Sequence, residues 1–505
     1  MFRARPPAWT GCGPVLPGRM GAWSVLLTCL LLGCDRPGSQ GFVDLQDGHL
    51  EVNGQPMFPV IMNYQVNLVF DGALMWPASY CGYNPGDRYR FRDPDSSALQ
   101  VRAELAIMKE LGFNAVRVTS LTEGPVHLED DPTPRLRVRT PEGQQEFLDL
   151  AMEGLERNYL AAVRRFLDLA AEEGMRVILL TTIHDDRPGS REHFTTVADF
   201  LRNDTTILAF DLFNEPLYFD LPPRSKKEVY RMVKEWRKLA DRHAPHHLIT
   251  IGLTGIREVH AWDPELLDVD FISFHPYEYE PDQVLNELAW YGRYLTIPWM
   301  IGETSLPADD DSVSYADMAR FAQQTLERTV ACGGIGYSWW QFKDVRWGRF
   351  HSDHMGLLTM EGHEDVEDHP IGVEGTPKPA AEVFRDFDPG KVTMDCRELP
   401  NQFNYSGHDR SRITGRLVDE HGHPIEGGVV LAWNRFYSHS YHTTSRADGT
   451  FELLGDMDFH HWIASALGHA MVRGECPASG FRRDPAGTAT FHLGELELKD
   501  LGLRR

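Results

Sequence analysis

Residues 207–216 read ILAFDLFNEP, an apolar run that stops abruptly in Asn214, Glu215 and Pro216. Such a run is the pattern of a strand buried on both faces. A carboxylate at the end of a buried strand is costly unless it is paired or employed. Residues 298–305, PWMIGETS, repeat the arrangement and run into a lone acid, Glu303. The distance between the two acids suits two strands of one β/α barrel, separated by roughly three β/α units. In that architecture the chemistry sits at the carboxyl ends of the strands.

The rest of the chain supports that reading. Strands are expected at 58–63, 114–119, 176–182, 248–252, 269–274 and 335–338, besides the two already described. Helical spacing falls between them at 97–111, 145–174, 225–243, 283–295, 312–329 and 377–387. Asn53-Gly54 marks a hairpin ahead of the first barrel strand. Residues 66–95, 121–145 and 341–376 read as long loops, the second polar and solvated. Eight strands alternating with helices indicate an α/β chain, a (β/α)8 TIM barrel over 45–387. A linker over 388–411 follows. Over 412–500, short alternating runs punctuated by Gly, Asp and Pro read as a small all-β sandwich. Asp448-Gly449 marks one of its hairpins.

Several residues interrupt their surroundings. Arg117 breaks a buried run in NAVRVT, and an arginine inside a barrel near the mouth usually faces a carboxylate. His275-Pro276-Tyr277 follows the sixth strand, and Trp339-Trp340 the eighth. His184, Asp185 and Asp186 follow the third; the trio suits rim polarity better than a metal. Trp76, Tyr80 and Tyr83 suit either a sugar-stacking platform or the packing of their loop. Paired carboxylates at one barrel mouth are what glycoside hydrolysis needs.

The formal net charge of −24 argues against nucleic acid as a partner, because phosphates would be repelled. The first 34 residues read as a targeting segment. Arg3, Arg5 and Arg19 precede an apolar run, 22–32, too short to span a bilayer. Leu31-Leu32-Gly33-Cys34 resembles the bacterial lipoprotein cleavage box, which would make Cys34 the lipidated first residue of the mature chain. A plain secretory signal cut nearby, and a start at Met20, are the other readings. Export permits disulfides, but their pairing is not legible. No cysteine or histidine spacing suggests a metal site.

The motifs NEP (214–216), HPY (275–277), GET (302–304) and SWW (338–340), with Arg117, together resemble the clan of retaining glycoside hydrolases that includes family 5 cellulases and mannanases. The resemblance implies Glu215 as general acid/base and Glu303 as nucleophile. It implies substrate contacts from Arg117, Asn214, His275, Tyr277, Trp339, Trp340 and, more loosely matched, His184. Glu215 would hold its proton partly because Glu303 is charged. No cofactor and no metal are implied, and the ligand would be a β-linked oligo- or polysaccharide. Residues GRLVDEHGHPIEGGVV and ADGTFEL resemble the carboxypeptidase regulatory-like, transthyretin-like sandwich, which implies a structural or adhesive accessory. The expectation is a hydrolase exported to the bacterial cell envelope and anchored through Cys34. A transglycosylase shares every residue named, and a glycan-binding lipoprotein that has lost catalysis is the other alternative.

Overall fold

Eight parallel strands form the centre of the computed structural model: β1 (Val60–Phe70), β2 (Ala115–Thr119), β3 (Arg176–Leu180), β4 (Ile207–Asn214), β5 (Leu248–Leu253), β6 (Phe271–Phe274), β7 (Trp299–Ile301) and β8 (Tyr337–Trp339). Residues 41–505 are described, apart from 80–92, 129–130, 182–186, 220–222, 279, 347, 361–374, 400–408, 438 and 486. Each strand pairs with the next through β7. β8 returns to β1 in the register Tyr337↔Val60. Amide donation from Ile335 to the Trp299 carbonyl (2.9 Å) and from Ile301 to the Gly336 carbonyl (3.2 Å) closes the ring. The fold class is therefore a (β/α)8 barrel followed by a β-sandwich.

The apolar runs are strands because both faces are covered. Helices α1 (Pro94–Glu110), α2 (Leu155–Glu172), α3 (Ser190–Phe200), α4 (Lys226–His243), α5 (Pro281–Tyr294) and α6 (Tyr315–Ala331) lie outside the sheet. α4 starts on a capping box, in which Ser225 and Glu228 satisfy each other's backbone donors. At the amino-terminal end, Val43 and Leu50 of a small three-stranded sheet join Ile61, Ala115, Ile178, Phe271 and Met300 in one buried cluster. That cluster plugs the bottom of the barrel and leaves chemistry to the carboxyl ends. Among the described residues no helix is long and apolar enough to cross a membrane.

Four expectations from the sequence are corrected. Residues 121–145 are not a loop: Val126–Leu128, Asp131–Arg139 and Gln145–Asp149 pair as antiparallel strands. The alternation Arg135-Leu136-Arg137-Val138 buries Leu136 and Val138 and turns the arginines outward, a period of two hidden under charge. The helix expected from 145 begins only at Leu155, after Gly154 turns at φ 78°. Within 66–95, β1 runs on to Phe70 and pairs with Met75–Ser79. The helix expected at 377–387 is two short turns, Pro379–Ala381 and Glu382–Arg385.

The sandwich has two four-stranded sheets. One holds β9 (Ser411–Val418), β12 (Thr450–Gly455), β15 (Arg482–Arg483) and β16 (Ala489–Glu497). The other holds β10 (Val429–Trp433), β11 (Ser440–Thr444), β13 (His461–Ser465) and β14 (Val472–Glu475). Ile413, Leu417, Val430, Leu453 and Trp462 fill the space between them. β10 and β13 lie against the 3-10 turn Ile256–His260, which stands where other units of the barrel carry an outer α-helix. Hydrogen bonds tie the domains. Lys226 Nζ donates to the Ala466 carbonyl (2.7 Å), Trp290 Nε1 to the Gly427 carbonyl (2.9 Å) and the Gly468 amide to Asp263 (2.7 Å). A disulfide between Cys332 and Cys396 fixes the segment after the barrel to the end of α6.

Candidate active site

Pairing register brings four polar side chains into the barrel's inner layer. Asn63 on β1 lies opposite Arg117 on β2, and Asp211 on β4 lies opposite Leu180 of β3 and Thr250 of β5. Arg117 is fully buried and every part of its fork is used. Nε and Nη2 reach Asp211 Oδ2 at 2.9 and 2.8 Å. Nη1 donates to Asn63 Oδ1 (3.1 Å) and to Glu303, and Nη2 donates to Asn214 Oδ1 at 2.7 Å. A planar guanidinium suits this because its donors are fixed relative to one another. Asn63 continues the lattice, donating to the Gly302 carbonyl at 2.9 Å and to Ser338 Oγ at 2.7 Å.

Glu215 follows β4 at φ 46°, a left-handed conformation that a non-glycine residue adopts at a cost. Its amide still donates to the Gly252 carbonyl at 2.8 Å. The carboxyl thus leaves the strand end while the backbone stays in the ladder. His275 Nδ1 lies 3.1 Å from Glu215 Oε1 and 3.7 Å from Glu303 Oε1. Tyr277 Oη donates to Glu303 Oε2 at 3.2 Å. One oxygen of Glu215, one of Glu303 and a ring nitrogen of His275 all lie within 4.8 Å of one another. Gly302 of GET is required by this crowding: a Cβ there would stand 1.9 Å from Ser273 Oγ and 2.8 Å from His275 Nε2.

The electrostatics separate the two acids. Burial pushes the Glu215 carboxyl up to about 7, against the opposing pull of Arg117 and Arg257. Burial also raises Glu303, but the Arg117 guanidinium in direct contact with it favours its ionised form. The two carboxylates repel each other, a contribution that raises Glu303. Direct contact with Arg117 makes Glu303 the acid that holds charge. Burial brings His275 down to about 4, so the ring is neutral near pH 7.

The structure therefore brings together Arg117, Asn214, Glu215, His275, Tyr277 and Glu303. It does not bring Trp339 to the cleft. That indole is fully buried, donates Nε1 to the Met355 carbonyl at 3.1 Å, and packs against Phe321 and Phe384. Trp339 cannot floor a subsite, because β8 points it into the layer under the helices. Trp340 is half-buried, and its amide donates to the Thr304 carbonyl at 3.0 Å. Trp76 packs its loop, with its indole nitrogen donating to Ser97. His184 and Cys34 lie outside the described residues, as do Asp185, Asp186, Tyr80 and Tyr83.

A cleft of about 380 Å³ opens beside the acids. Its wall includes Glu215, Tyr218, Arg257, His275, Tyr277 and Glu278. Asn63, Asp211 and Arg257 were missed from the sequence. Asp211 carried a usable signal, since it interrupts ILAFDLF as Arg117 interrupts NAVRVT. Arg257 carried none, because it sits in a 3-10 turn. Among the described residues, two clusters have the side chains to hold a cation: Glu215, His275 and Glu303, and Glu278, Glu287 and His442. In each a guanidinium already supplies the positive charge, Arg117 on Glu303 and Arg257 3.2 Å from Glu278.

Residues 97–345 match the family model described as cellulase (glycosyl hydrolase family 5), a match running from α1 past β8. Several solved structures are similar. The endo-1,4-beta-mannanase of Rhizomucor miehei is 14% identical, with 59% of this chain and 90% of that one covered and a TM-score of 0.40. The exo-beta-1,4-mannosidase Op5Man5 of an Opitutaceae bacterium is 18% identical, covering 69% and 62%, with a TM-score of 0.47. A Faecalibacterium prausnitzii beta-glucuronidase is 15% identical, covering 68% and 50%, with a TM-score of 0.43. Among curated sequences, the large ribosomal subunit protein bL25 of Corynebacterium glutamicum is 41% identical over 58 residues. Those residues are 11% of this chain, which spans 29% of that protein's length.

Proposed function

We propose that this chain, whose residues 97–345 match the family 5 glycosyl hydrolase model, hydrolyses β-glycosidic bonds in oligo- or polysaccharides with retention. The observation that carries the reading is the pair Glu215 and Glu303, with oxygens within 4.8 Å of each other at the carboxyl ends of β4 and β7. Retaining enzymes hold their two carboxyls roughly 5–5.5 Å apart, whereas inverting ones leave a wider gap for water.

Protonated Glu215 gives its proton to the leaving glycosidic oxygen as that bond breaks. Ionised Glu303, held by Arg117 and Tyr277, attacks the anomeric carbon and forms a glycosyl ester. Glu215, now charged, takes a proton from water, which attacks the same carbon and releases Glu303. Asn214 has its Oδ1 occupied by Arg117, so its amide nitrogen is the atom left to donate to a sugar hydroxyl.

The test is hydrolysis of aryl β-glycosides, β-mannans and β-glucans as a function of pH. The acid must be protonated, so activity is expected to fall as pH rises through about 7, the position of the Glu215 carboxyl. Activity lost instead on lowering the pH through 7 would contradict the assignment. Wild-type protein that cleaves nothing in the panel would sink the hydrolytic reading. Product analysis with an added sugar acceptor distinguishes hydrolysis from transglycosylation on the same scaffold.

Export with lipid on Cys34 belongs to the same reading, supported by the Cys332–Cys396 disulfide, which suits an oxidising compartment. Mass spectrometry of the mature amino terminus is expected to find lipidated Cys34. An unmodified start elsewhere would rule the anchor out.

A further inference from the structure

Much of the exposed aromatic surface among the described residues falls at two places. Tyr218 (51% exposed) and Phe219 (41%) lie on the one-turn helix directly after Glu215 and Pro216. Phe436 (83%) and Tyr437 (49%) lie in the turn after β10 of the sandwich. Single exposed apolar residues are ordinary, but these two groups flank one turn, Ile256–His260: the Leu217 amide donates to Glu258 of it, and β10 packs against it. Tyr218 lines the cleft that holds Glu215. β10, which leads into Phe436 and Tyr437, packs against the turn Ile256–His260, and Arg257 of that turn lines the same cleft. Trp433 stands behind Tyr437, with ring centroids 5.5 Å apart. Beyond Tyr437, Phe436 borders an open depression with Asn434, Arg435 and His439. Exposed aromatic rings thus stand on both sides of the junction between the barrel cleft and the second domain.

The rings are held in place on both sides. On the barrel, the Leu217 amide donates to buried Glu258 at 2.9 Å and fixes the helix that carries Tyr218. On the sandwich, β11 inserts His442, 1% exposed, between Gln283 and Glu287 of α5, each 3.4 Å from its Nε2. Tyr437 itself is held at φ 54°, a conformation unfavourable for a residue with a Cβ. A sandwich that served only as a spacer would need none of this at its barrel-facing edge.

We infer that the sandwich supplies an outer subsite, in which Tyr437 and Phe436, together with Tyr218, stack the pyranose rings of a β-linked glycan chain emerging from the cleft past Arg257. Flat rings beside a few polar groups match pyranosides, which present an apolar face and a hydroxyl edge. Their place beside the cleft identifies the occupant as the far end of the substrate. This rests on the glycosidase reading.

The experiment compares full-length wild type with the double variant Phe436→Ala/Tyr437→Ala. Two substrates are used: an aryl β-glycoside, which fills only the catalytic end, and a long oligosaccharide of the same sugar. The ratio of kcat/KM for the oligosaccharide to that for the aryl glycoside is expected to fall about tenfold, equivalent to about 1.4 kcal/mol. A ratio at the wild-type value overturns the subsite. Tyr218→Ala, made on the barrel side, is expected to lower the same ratio. Calorimetric binding of the oligosaccharide to Glu215→Gln protein, with and without the two alanines, keeps the tests distinct. Weaker binding with the alanines supports the subsite even if hydrolysis fails, and equal binding overturns it.

Discussion

Glu303→Gln is expected to lose at least ~10⁴-fold in kcat on aryl β-glycosides while keeping its fold, as removal of a covalent nucleophile does elsewhere. The amide is nearly the same size as the carboxylate. It retains an oxygen for Arg117 Nη1, and its amide nitrogen then faces Tyr277 Oη, a hydroxyl that can turn to accept from it, so both contacts that orient Glu303 can be kept. What it loses is the charge that attacks the anomeric carbon. The check is steady-state kinetics beside a thermal melt. Glu303→Gly supplied with azide sharpens it: the small anion takes the vacated place and gives a glycosyl azide of inverted configuration. Full activity in Glu303→Gln would remove the nucleophile assignment and with it the two-step mechanism.

Replacing Arg117 with leucine is expected to lower the free energy of unfolding by about 3–5 kcal/mol, the cost of stranding a buried charge. Asp211 is fully buried and its Oδ2 faces only the guanidinium, while Oδ1 accepts the Gly252 amide at 3.1 Å. Glu303 would lose its cation at the same time, so activity should fall too. Denaturation in urea measures the first effect. The double variant Arg117→Leu/Asp211→Leu should recover part of the lost stability, because Asp211 is no longer stranded, while Glu303 still lacks its cation. A single variant as stable as wild type would show that the buried lattice of Asn63, Arg117 and Asp211 is not what holds the barrel interior together.

The two effects are linked through one side chain. Arg117 holds Asp211 for the fold and Glu303 for the chemistry, so the same interior cation serves packing and reaction. Glu215 stands outside that lattice. Its nearest ionisable contact is a neutral histidine, and burial raises its carboxyl to about 7. That asymmetry sets the acid and the nucleophile apart.

Local pattern made the barrel legible. Runs such as ILAFDLF and NAVRVT are apolar on both sides because both faces are covered, and each ends where water begins. The two acids could be read for the same reason: a charge at the end of a buried strand has few explanations. Asp211 was equally available, since it breaks its run as Arg117 does. The strands within 126–149 were obscured because outward arginines alternate with Leu136 and Val138, and composition there outweighed period.

What the sequence by itself determined was the order of strands and the motifs, with their two acids, at the strand ends. These depend on neighbours along the chain and on a side-chain period of two or 3.6. What only the tertiary structure decided was which tryptophan is buried, why Glu215 keeps its proton, and where the second domain sits. Trp339 and Trp340 are adjacent in sequence, yet the pleat of β8 sends the first into the core. The His442 that locks the sandwich to α5 lies far along the chain from Gln283 and Glu287, and no local pattern couples them. Contacts of that kind are set by packing between surfaces, and a sequence read residue by residue does not carry their geometry.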